Sequence, residues 1–305
     1  MRTTWMLGLT LLVGCASPGD DDDSAEPTPQ DACAGSLAEG DVRVVATGFT
    51  GGTEGVTFSP DGRLFVSSGD TVEEVFSDGR HEVIADVPAT VGLAWWGDEL
   101  IVASGDSGEG LDTGGVYAVD VDSGDVRLLA GGIPGANFPA VTPWETLLVS
   151  TPSGPEEIVE VSDDGDVSLW SAEVPSPNGI GFVADGSGAF VASTFGSARL
   201  SFVPVEEGAA GTPEQTASWG PATAPDGLAI GASDAVYLTQ NIAGRIDRIQ
   251  RDGTVEEVAT AVDFAASAAF GVGADWDPCA VYVTSLAGSN LYAVGVGEPA
   301  GTLWR

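Results

Sequence analysis

Three short motifs place an oxygen-bearing side chain next to glycine: Glu54-Gly55, Pro177-Asn178-Gly179 and Pro225-Asp226-Gly227. Two carboxylates and one carboxamide, without thiolate or imidazole, make a hard donor set that suits Ca²⁺, Mg²⁺ or Mn²⁺ better than a softer metal. Three protein ligands would leave positions open for water and substrate. Taken singly, each motif is also an ordinary turn or strand start. Their chemistry therefore depends on whether the fold brings them together.

The motifs belong to a repeat of roughly forty residues, a period typical of propellers and solenoids. Each unit begins with a small apolar strand containing glycine, passes through a turn, and continues with a strand that ends in Ser or Thr. Asp-Gly pairs such as Asp61-Gly62 and Asp252-Gly253 recur between strands, as hairpin connections require. The anchor residues of the six units, 37 to 48 residues apart, are Gly55, Gly92, Ala140, Gly179, Gly227 and Gly271.

Six units of this kind predict an all-β fold, a six-bladed β-propeller with four antiparallel strands per blade. Residues 41–46 alternate as a strand should, and we expect them to form the outer strand of blade six and so close the ring. A β-sandwich is the alternative fold, which six similar units disfavour. In a propeller the first strand of every blade lines the central channel. The oxygen-bearing residues at the strand entrances would therefore converge on one axis.

Glu54-Gly55, Pro177-Asn178-Gly179 and Pro225-Asp226-Gly227 resemble the senescence marker protein/gluconolactonase/luciferin-regenerating family, over about residues 41–297. The resemblance implies that Glu54, Asn178 and Asp226 coordinate one divalent cation and that Asp226 also acts in catalysis. Asn137 corresponds to a further Asn that holds substrate or a metal-bound water, although Asn137-Phe138-Pro139-Ala140 departs from the usual order. Ca²⁺ is the expected ion, with Mg²⁺, Mn²⁺ or Zn²⁺ as alternatives.

The resulting hypothesis is a metal-dependent hydrolase that opens a small-molecule lactone, a sugar lactone or related ester, to a hydroxy acid at the channel mouth. Loops after the second strands, such as residues 194–197 and 240–243, would set specificity. The alternative is a non-catalytic, surface-anchored propeller that keeps a structural metal and binds a ligand or protein partner. Fold alone does not separate the two, because propellers host many functions.

Several other chemistries are disfavoured by composition. The formal net charge is −36 and the chain contains no lysine, which argues against nucleic-acid binding and excludes Schiff-base chemistry. The single histidine, His81, is predicted to lie on a solvated outer strand, so a Ser-His-Asp hydrolase is disfavoured. We expect a monomer.

The N-terminus predicts export. Arg2 precedes an apolar run of signal-peptide length that ends in Leu12-Val13-Gly14-Cys15, which looks like a lipobox. We therefore expect a signal peptide over 1–14, a lipidated Cys15 with an acidic Pro/Ser tether over 15–32, and the propeller over 33–305. An ordinary signal peptide that happens to contain a cysteine is the alternative. Ala16 after the cysteine favours the outer membrane, with the cell surface or periplasm as the compartment.

Two cysteines remain, Cys33 before the first strand and Cys279 near the end of the chain. In an oxidising compartment such a pair is a disulfide candidate. It would reinforce closure of the ring by joining the N-terminal entry to the last blade. A redox or metal role for two isolated cysteines is the less favoured alternative.

Overall fold

The computed structural model describes residues 32–105 and 114–305. Twenty-five strands in these residues form six antiparallel sheets, the blades of a six-bladed β-propeller. The predicted fold class is therefore confirmed. The predicted signal peptide, Cys15 and almost all of the tether lie outside the described residues. No helix within the described ranges is long and apolar enough to cross a membrane.

Every blade has four antiparallel strands, and the first strand of each, here called the inner strand, lines the channel. Blades 1 and 2 contain β2 (Thr53–Phe58), β3 (Leu64–Ser68), β4 (Thr71–Val75) and β5 (His81–Asp86), then β6 (Thr90–Trp96), β7 (Glu99–Ser104), β8 (Gly115–Val119) and β9 (Val126–Gly131). Blades 3 and 4 contain β10 (Pro139–Val141), β11 (Leu147–Ser150), β12 (Ile158–Val161) and β13 (Val167–Ser171), then β14 (Pro177–Phe182), β15 (Gly188–Ser193), β16 (Arg199–Glu206), the short extra β17 (Ala209–Ala210) and β18 (Glu214–Ser218). Blades 5 and 6 contain β19 (Pro225–Ile230), β20 (Val236–Gln240), β21 (Arg245–Ile249) and β22 (Val255–Thr260), then β23 (Ala265–Phe270), β24 (Ala280–Ser285), β25 (Asn290–Gly295) and β1 (Val42–Thr47).

The ring closes between the two ends of the chain. Strand β1 pairs antiparallel with β25, with Val42 opposite Val294, so the N-terminal strand is the outer strand of blade 6, as the sequence predicts. A disulfide joins Cys33 to Cys279 across 246 residues, with a Cα–Cα distance of 5.6 Å. Both links bind the start of the chain to blade 6.

Apolar packing between the blades holds the ring together. The core divides into six clusters, each made of side chains from two neighbouring blades. Between blades 1 and 6, Phe58 meets Trp276 and Tyr282 edge to face, at centroid distances of 5.6 and 5.2 Å. A single blade has nothing to cover these faces, so the apolar surface is buried only when the ring is complete.

Hydroxyl groups at the ends of the second strands also link neighbouring blades. Ser67 Oγ donates to the carbonyl of Val91 at 2.5 Å, and Thr239 Oγ1 donates to the carbonyl of Ala266 at 2.6 Å. Thr284 of blade 6 donates in the same way to the carbonyl of Glu54 in blade 1. These bonds explain the recurring Ser or Thr of the repeat, and they fix the inner strands relative to one another.

In blades 1, 2, 4 and 5 the inner strand approaches its neighbour so closely that only glycine fits at the contact. A Cβ on Gly55 would lie 2.4 Å from the carbonyl oxygen of Val91, and one on Gly227 would lie 2.7 Å from Cα of Ser267. In blades 3 and 6 the pairing register places Phe138 and Ser267 at this position. The anchors chosen from sequence, Ala140 and Gly271, are therefore wrong.

Candidate metal and active site

The candidate site is a ring of side chains at the entrances of the inner strands. In every blade the inner strand pairs continuously with the second strand from one residue onward. The ring residue is the one two positions before that point. The six inner strands pack against one another in sequence around the channel, which brings these residues together. From blade 1 to blade 6 they are Glu54, Val91, Asn137, Asn178, Asp226 and Ala266.

The ring unites all four residues predicted from sequence. Asn137 Nδ2 donates to Glu54 Oε1 at 3.3 Å, across the intervening Val91 of blade 2. Asn137 thus occupies in blade 3 the position that Glu54 occupies in blade 1, despite its unusual neighbours in sequence. Polar groups come from blades 1, 3, 4 and 5, whereas blades 2 and 6 contribute Val91 and Ala266.

A recurrent backbone conformation aims these side chains. In blades 2 to 6 the residue two positions upstream of the ring is left-handed, with φ of 49°, 69°, 43°, 52° and 51° at Ala89, Gly135, Ser176, Ala224 and Phe264. At the ring residue itself, the inner strands of blades 1, 2, 4, 5 and 6 contain a β-bulge, a feature that redirects a side chain. Left-handed conformations cost about 1–3 kcal/mol for residues other than glycine and cluster at functional sites.

The ring contains two carboxylates that interact electrostatically: Asp226 is buried, and Glu54 is half-buried. Burial raises the pKa of Glu54 to about 7, and the hydrogen bond from Asn137 opposes this rise. Burial, and then the negative charge of Glu54, raise the pKa of Asp226 well above its usual range, while the amides of Asn241 and Asn178 lower it. None of the ion pairs formed by the described residues includes either carboxylate.

The amide of Asn178 presents an oxygen without a partner. Asn178 is 4% exposed, and its Nδ2 donates to Thr194 Oγ1 at 3.0 Å. Its Oδ1 is buried and accepts no hydrogen bond within the described part of the protein. A buried acceptor left unpaired costs about 1–3 kcal/mol. The arrangement is therefore that of an oxygen held ready for a ligand.

These observations fit a cation. A buried and a half-buried carboxylate without a basic partner are unfavourable in the charged state, and a divalent ion would compensate both while engaging Asn178 Oδ1. Across residues 32–105 and 114–305, no three His, Cys, Asp or Glu side chains gather as a metal-binding group, and amides complete this ring instead. An all-oxygen set of this kind is suited to Ca²⁺, Mg²⁺ or Mn²⁺.

Two residues that support the ring were not identified as such from sequence. Asn241 Nδ2 donates to Asp226 Oδ2 at 2.9 Å, and Thr194 both accepts from Asn178 and donates to the carbonyl of Pro225 at 2.6 Å. Both residues directly follow the second strand of their blade, in segments that the sequence assigns only to specificity. Both residues come directly after the end of a second strand, and this shared position could have identified them from the sequence.

The single histidine lies away from the ring. His81 begins the outer strand of blade 1, where Nδ1 bonds to Glu73 Oε2 at 2.6 Å and the ring stacks on Phe49 at 4.3 Å. The predicted solvated outer strand is confirmed, although the His81 side chain itself is only 19% exposed. Glu73 is buried, and His81 with Thr50 supplies its hydrogen bonds. The role visible here is structural.

Comparison with known proteins agrees with the propeller fold. Among solved structures, a calcium-binding protein, regucalcin, from Agrobacterium tumefaciens strain C58 superposes with a TM-score of 0.71 at 22% identity, covering 88% of this chain and 100% of that one. A gluconolactonase from Xanthomonas campestris gives a TM-score of 0.69 at 19% identity, covering 84% and 89%. Luciferin-regenerating enzyme gives 0.71 at 14% identity, covering 87% and 98%. At these identities the similarity establishes the fold.

No curated protein is a significant match to the sequence. Residues 53–287, however, match the family described as the SMP-30/gluconolactonase/LRE-like region. The match begins one residue before Glu54 and extends past the last inner strand, so it includes the whole ring. This chain belongs to the SMP-30/gluconolactonase/LRE-like family.

Proposed function

We propose that this protein hydrolyses lactones with one divalent cation, held by Glu54, Asn178 and Asp226 at the channel entrance. The observation that carries the proposal is a pair of carboxylates, buried Asp226 and half-buried Glu54, without a basic partner among the described residues and beside the unbonded Oδ1 of Asn178. Membership of a family whose description includes gluconolactonase supports the reaction type. Ca²⁺ is the ion we favour, because the ring offers only oxygen donors.

When bound, the cation would supply Lewis acidity to the carbonyl oxygen of the substrate. Asp226 acts as the general base that takes a proton from the attacking water. The water oxygen bonds to the carbonyl carbon, the ring C–O bond breaks, and the ring oxygen receives the proton to give a hydroxy acid. Asn241 holds the Asp226 carboxylate through Oδ2 during this exchange.

Asn137 is assigned to substrate positioning. Its Nδ2 bonds to Glu54 and its side chain is only half-buried, so its amide is accessible at the channel mouth. A neutral amide can donate to a substrate oxygen without competing for the cation's charge. Glu54 then serves chiefly as the anionic ligand on the opposite side of the ring from Asn178.

The test is hydrolysis of aldonolactones and of simple γ- and δ-lactones after chelation and resupply of Ca²⁺, Mg²⁺, Mn²⁺ or Zn²⁺. We expect metal-restored turnover that disappears in Asp226→Asn. Glu73→Gln is the matched control, because it neutralises a buried carboxylate outside the ring; it should bind metal with unchanged stoichiometry and keep its turnover.

The alternative, a non-catalytic propeller with a structural metal, predicts a different pattern. Such a protein would bind one cation through the ring and lose it in Glu54→Gln, yet hydrolyse no lactone of the series. That result would replace the hydrolase with a binding function.

We also propose that the protein is exported and lipid-anchored through Cys15. Growth with a clickable palmitate analogue should label the wild-type protein and leave Cys15→Ser unlabelled. A wild-type protein that takes up no label would contradict the anchor.

A further inference from the structure

We propose that four apolar side chains around the ring bind a hydrocarbon substituent of the substrate, so that alkyl-substituted lactones are preferred to polyhydroxylated ones. The inference rests on the proposed lactone hydrolysis and deepens it. The four side chains, called the apolar rim below, are Phe195, Ile242, Phe264 and Leu286, which are 59%, 61%, 47% and 40% exposed.

The residues of the apolar rim lie in a different part of the propeller from the other large exposed apolar side chains. The other large exposed apolar side chains of the described chain lie on the outermost strands of the blades, apart from Leu303 near the C-terminus. The rim residues instead lie in connections of blades 4, 5 and 6, at the end of the propeller where the inner strands begin. Large apolar groups gathered at one mouth mark a binding surface more often than scattered ones do.

Two rim residues directly follow the residues that support the ring. Phe195 follows Thr194, which bonds to Asn178, and Ile242 follows Asn241, which bonds to Asp226. These two apolar side chains are therefore next in sequence to the residues that orient two of the proposed metal ligands.

The other two rim residues extend the surface toward Glu54. The carbonyl of Phe264 accepts from the backbone N–H of Leu286 at 2.9 Å and from Asn241 Nδ2 at 3.5 Å. A Cβ on Gly52 would lie 2.1 Å from the carbonyl oxygen of Leu286, so Leu286 packs against the segment that leads into Glu54. Phe264 has φ of 51°, an uncommon conformation for a bulky residue.

The net charge of the protein limits the class of ligand that the apolar rim can bind. With a formal net charge of −36 the surface disfavours anionic ligands and anionic membranes. An uncharged lactone with an alkyl chain avoids this repulsion, and its chain can cover the rim. Each methylene removed from water then improves binding about three- to fourfold.

The experiment uses the full chain with δ-valerolactone, δ-octalactone, δ-dodecalactone and glucono-δ-lactone. We expect kcat/KM to rise along the alkyl series and to be lowest for glucono-δ-lactone. In Phe195→Ser/Ile242→Ser the ratio of kcat/KM between δ-dodecalactone and δ-valerolactone should fall at least about tenfold. Leu169→Ser is the matched control, because Leu169 is equally exposed, at 60%, but lies on the outer strand of blade 3.

Binding of the corresponding δ-lactams, which resist hydrolysis, separates this inference from the proposed function. If lactam affinity grows with chain length and is lost in the double variant, the apolar rim binds the alkyl chain. If no lactone is hydrolysed at the same time, the proposed hydrolase activity is contradicted while the rim is supported. Preference for glucono-δ-lactone, or a double variant that behaves like Leu169→Ser, would overturn the rim. A membrane contact would also overturn the proposal. In that case the Cys15→Ser protein would co-sediment with phosphatidylcholine vesicles, and adding Phe195→Ser/Ile242→Ser would abolish the co-sedimentation.

Discussion

Thr194 orients Asn178 from the neighbouring strand end: its Oγ1 accepts a 3.0 Å hydrogen bond from Asn178 Nδ2 while donating at 2.6 Å to the carbonyl of Pro225. Oδ1 of the same amide accepts no hydrogen bond within the described residues. The same hydroxyl ties blade 4 to the strand that carries Asp226. One side chain therefore positions two of the proposed ligands.

Removing this hydroxyl should weaken metal binding without unfolding the protein. We expect Thr194→Val to lower the affinity for Ca²⁺ or Mn²⁺ by about 10–100-fold, the usual effect of losing a residue that orients a ligand. Calorimetric titration of chelated protein measures this directly. Thr194→Ser keeps the hydroxyl and should restore most of the affinity; equal loss in both variants would assign the effect to packing.

The partly desolvated charge of Glu54 should make the metal-free protein less stable as pH rises. Because the pKa of Glu54 in the folded state is about 7 against an ordinary 4.5, the folded protein holds this proton more tightly than the unfolded chain does. The free energy of unfolding should therefore fall between about pH 4.5 and pH 7. The contribution of Glu54 is on the order of 2–3 kcal/mol.

Glu54→Gln isolates this contribution. In chelator, the variant should gain stability relative to the wild type as pH rises from about 5 to 7, as measured by denaturant unfolding. With saturating Ca²⁺ the order should reverse, because only the wild type keeps both carboxylates for the cation. A difference between the two proteins that does not change with pH would contradict the partly desolvated charge.

Close contact between inner strands should make Gly227 intolerant of any side chain. A Cβ there would meet the backbone of blade 6 at 2.7 and 2.8 Å, and backbone cannot move aside cheaply. We expect Gly227→Ala to lower the free energy of unfolding by roughly 2–3 kcal/mol. Gly220→Ala, where nothing lies within 4 Å, is the control and should be nearly neutral. Equal stability of the two variants would contradict the close approach.

The disulfide should contribute to stability but not to metal binding. Cys33 and Cys279 close a loop of 246 residues, for which the chain-entropy model gives up to about 4–5 kcal/mol. Cys33→Ser/Cys279→Ser should therefore unfold at lower denaturant concentration with unchanged Ca²⁺ affinity. Loss of metal affinity in this variant would instead mean that ring closure controls the geometry of the distant site.

Much of the fold and part of the site could be read from the chain itself. Glu54, Asn178 and Asp226 stand out in the sequence because the inner strands of blades 1, 4 and 5 tolerate only glycine at their contacts, which leaves a local signature beside each of these residues. The strand over residues 41–46 was recognisable by its alternation. The repeat period, the turn residues and the alternation of apolar residues in strands are all patterns among residues close together in the chain. The sequence by itself therefore determined the propeller fold and the number of blades.

Contacts between strands, both within a blade and between blades, were decided only by the tertiary structure. Phe138 and Ser267 occupy the glycine position in blades 3 and 6, so the register there could not be found by searching for glycine. The support of Asp226 by Asn241 and of Asn178 by Thr194 joins residues 15 and 16 positions apart through a strand turn and a bulge. These contacts depend on strand register, which burial of the blade faces fixes and which a local sequence pattern does not encode.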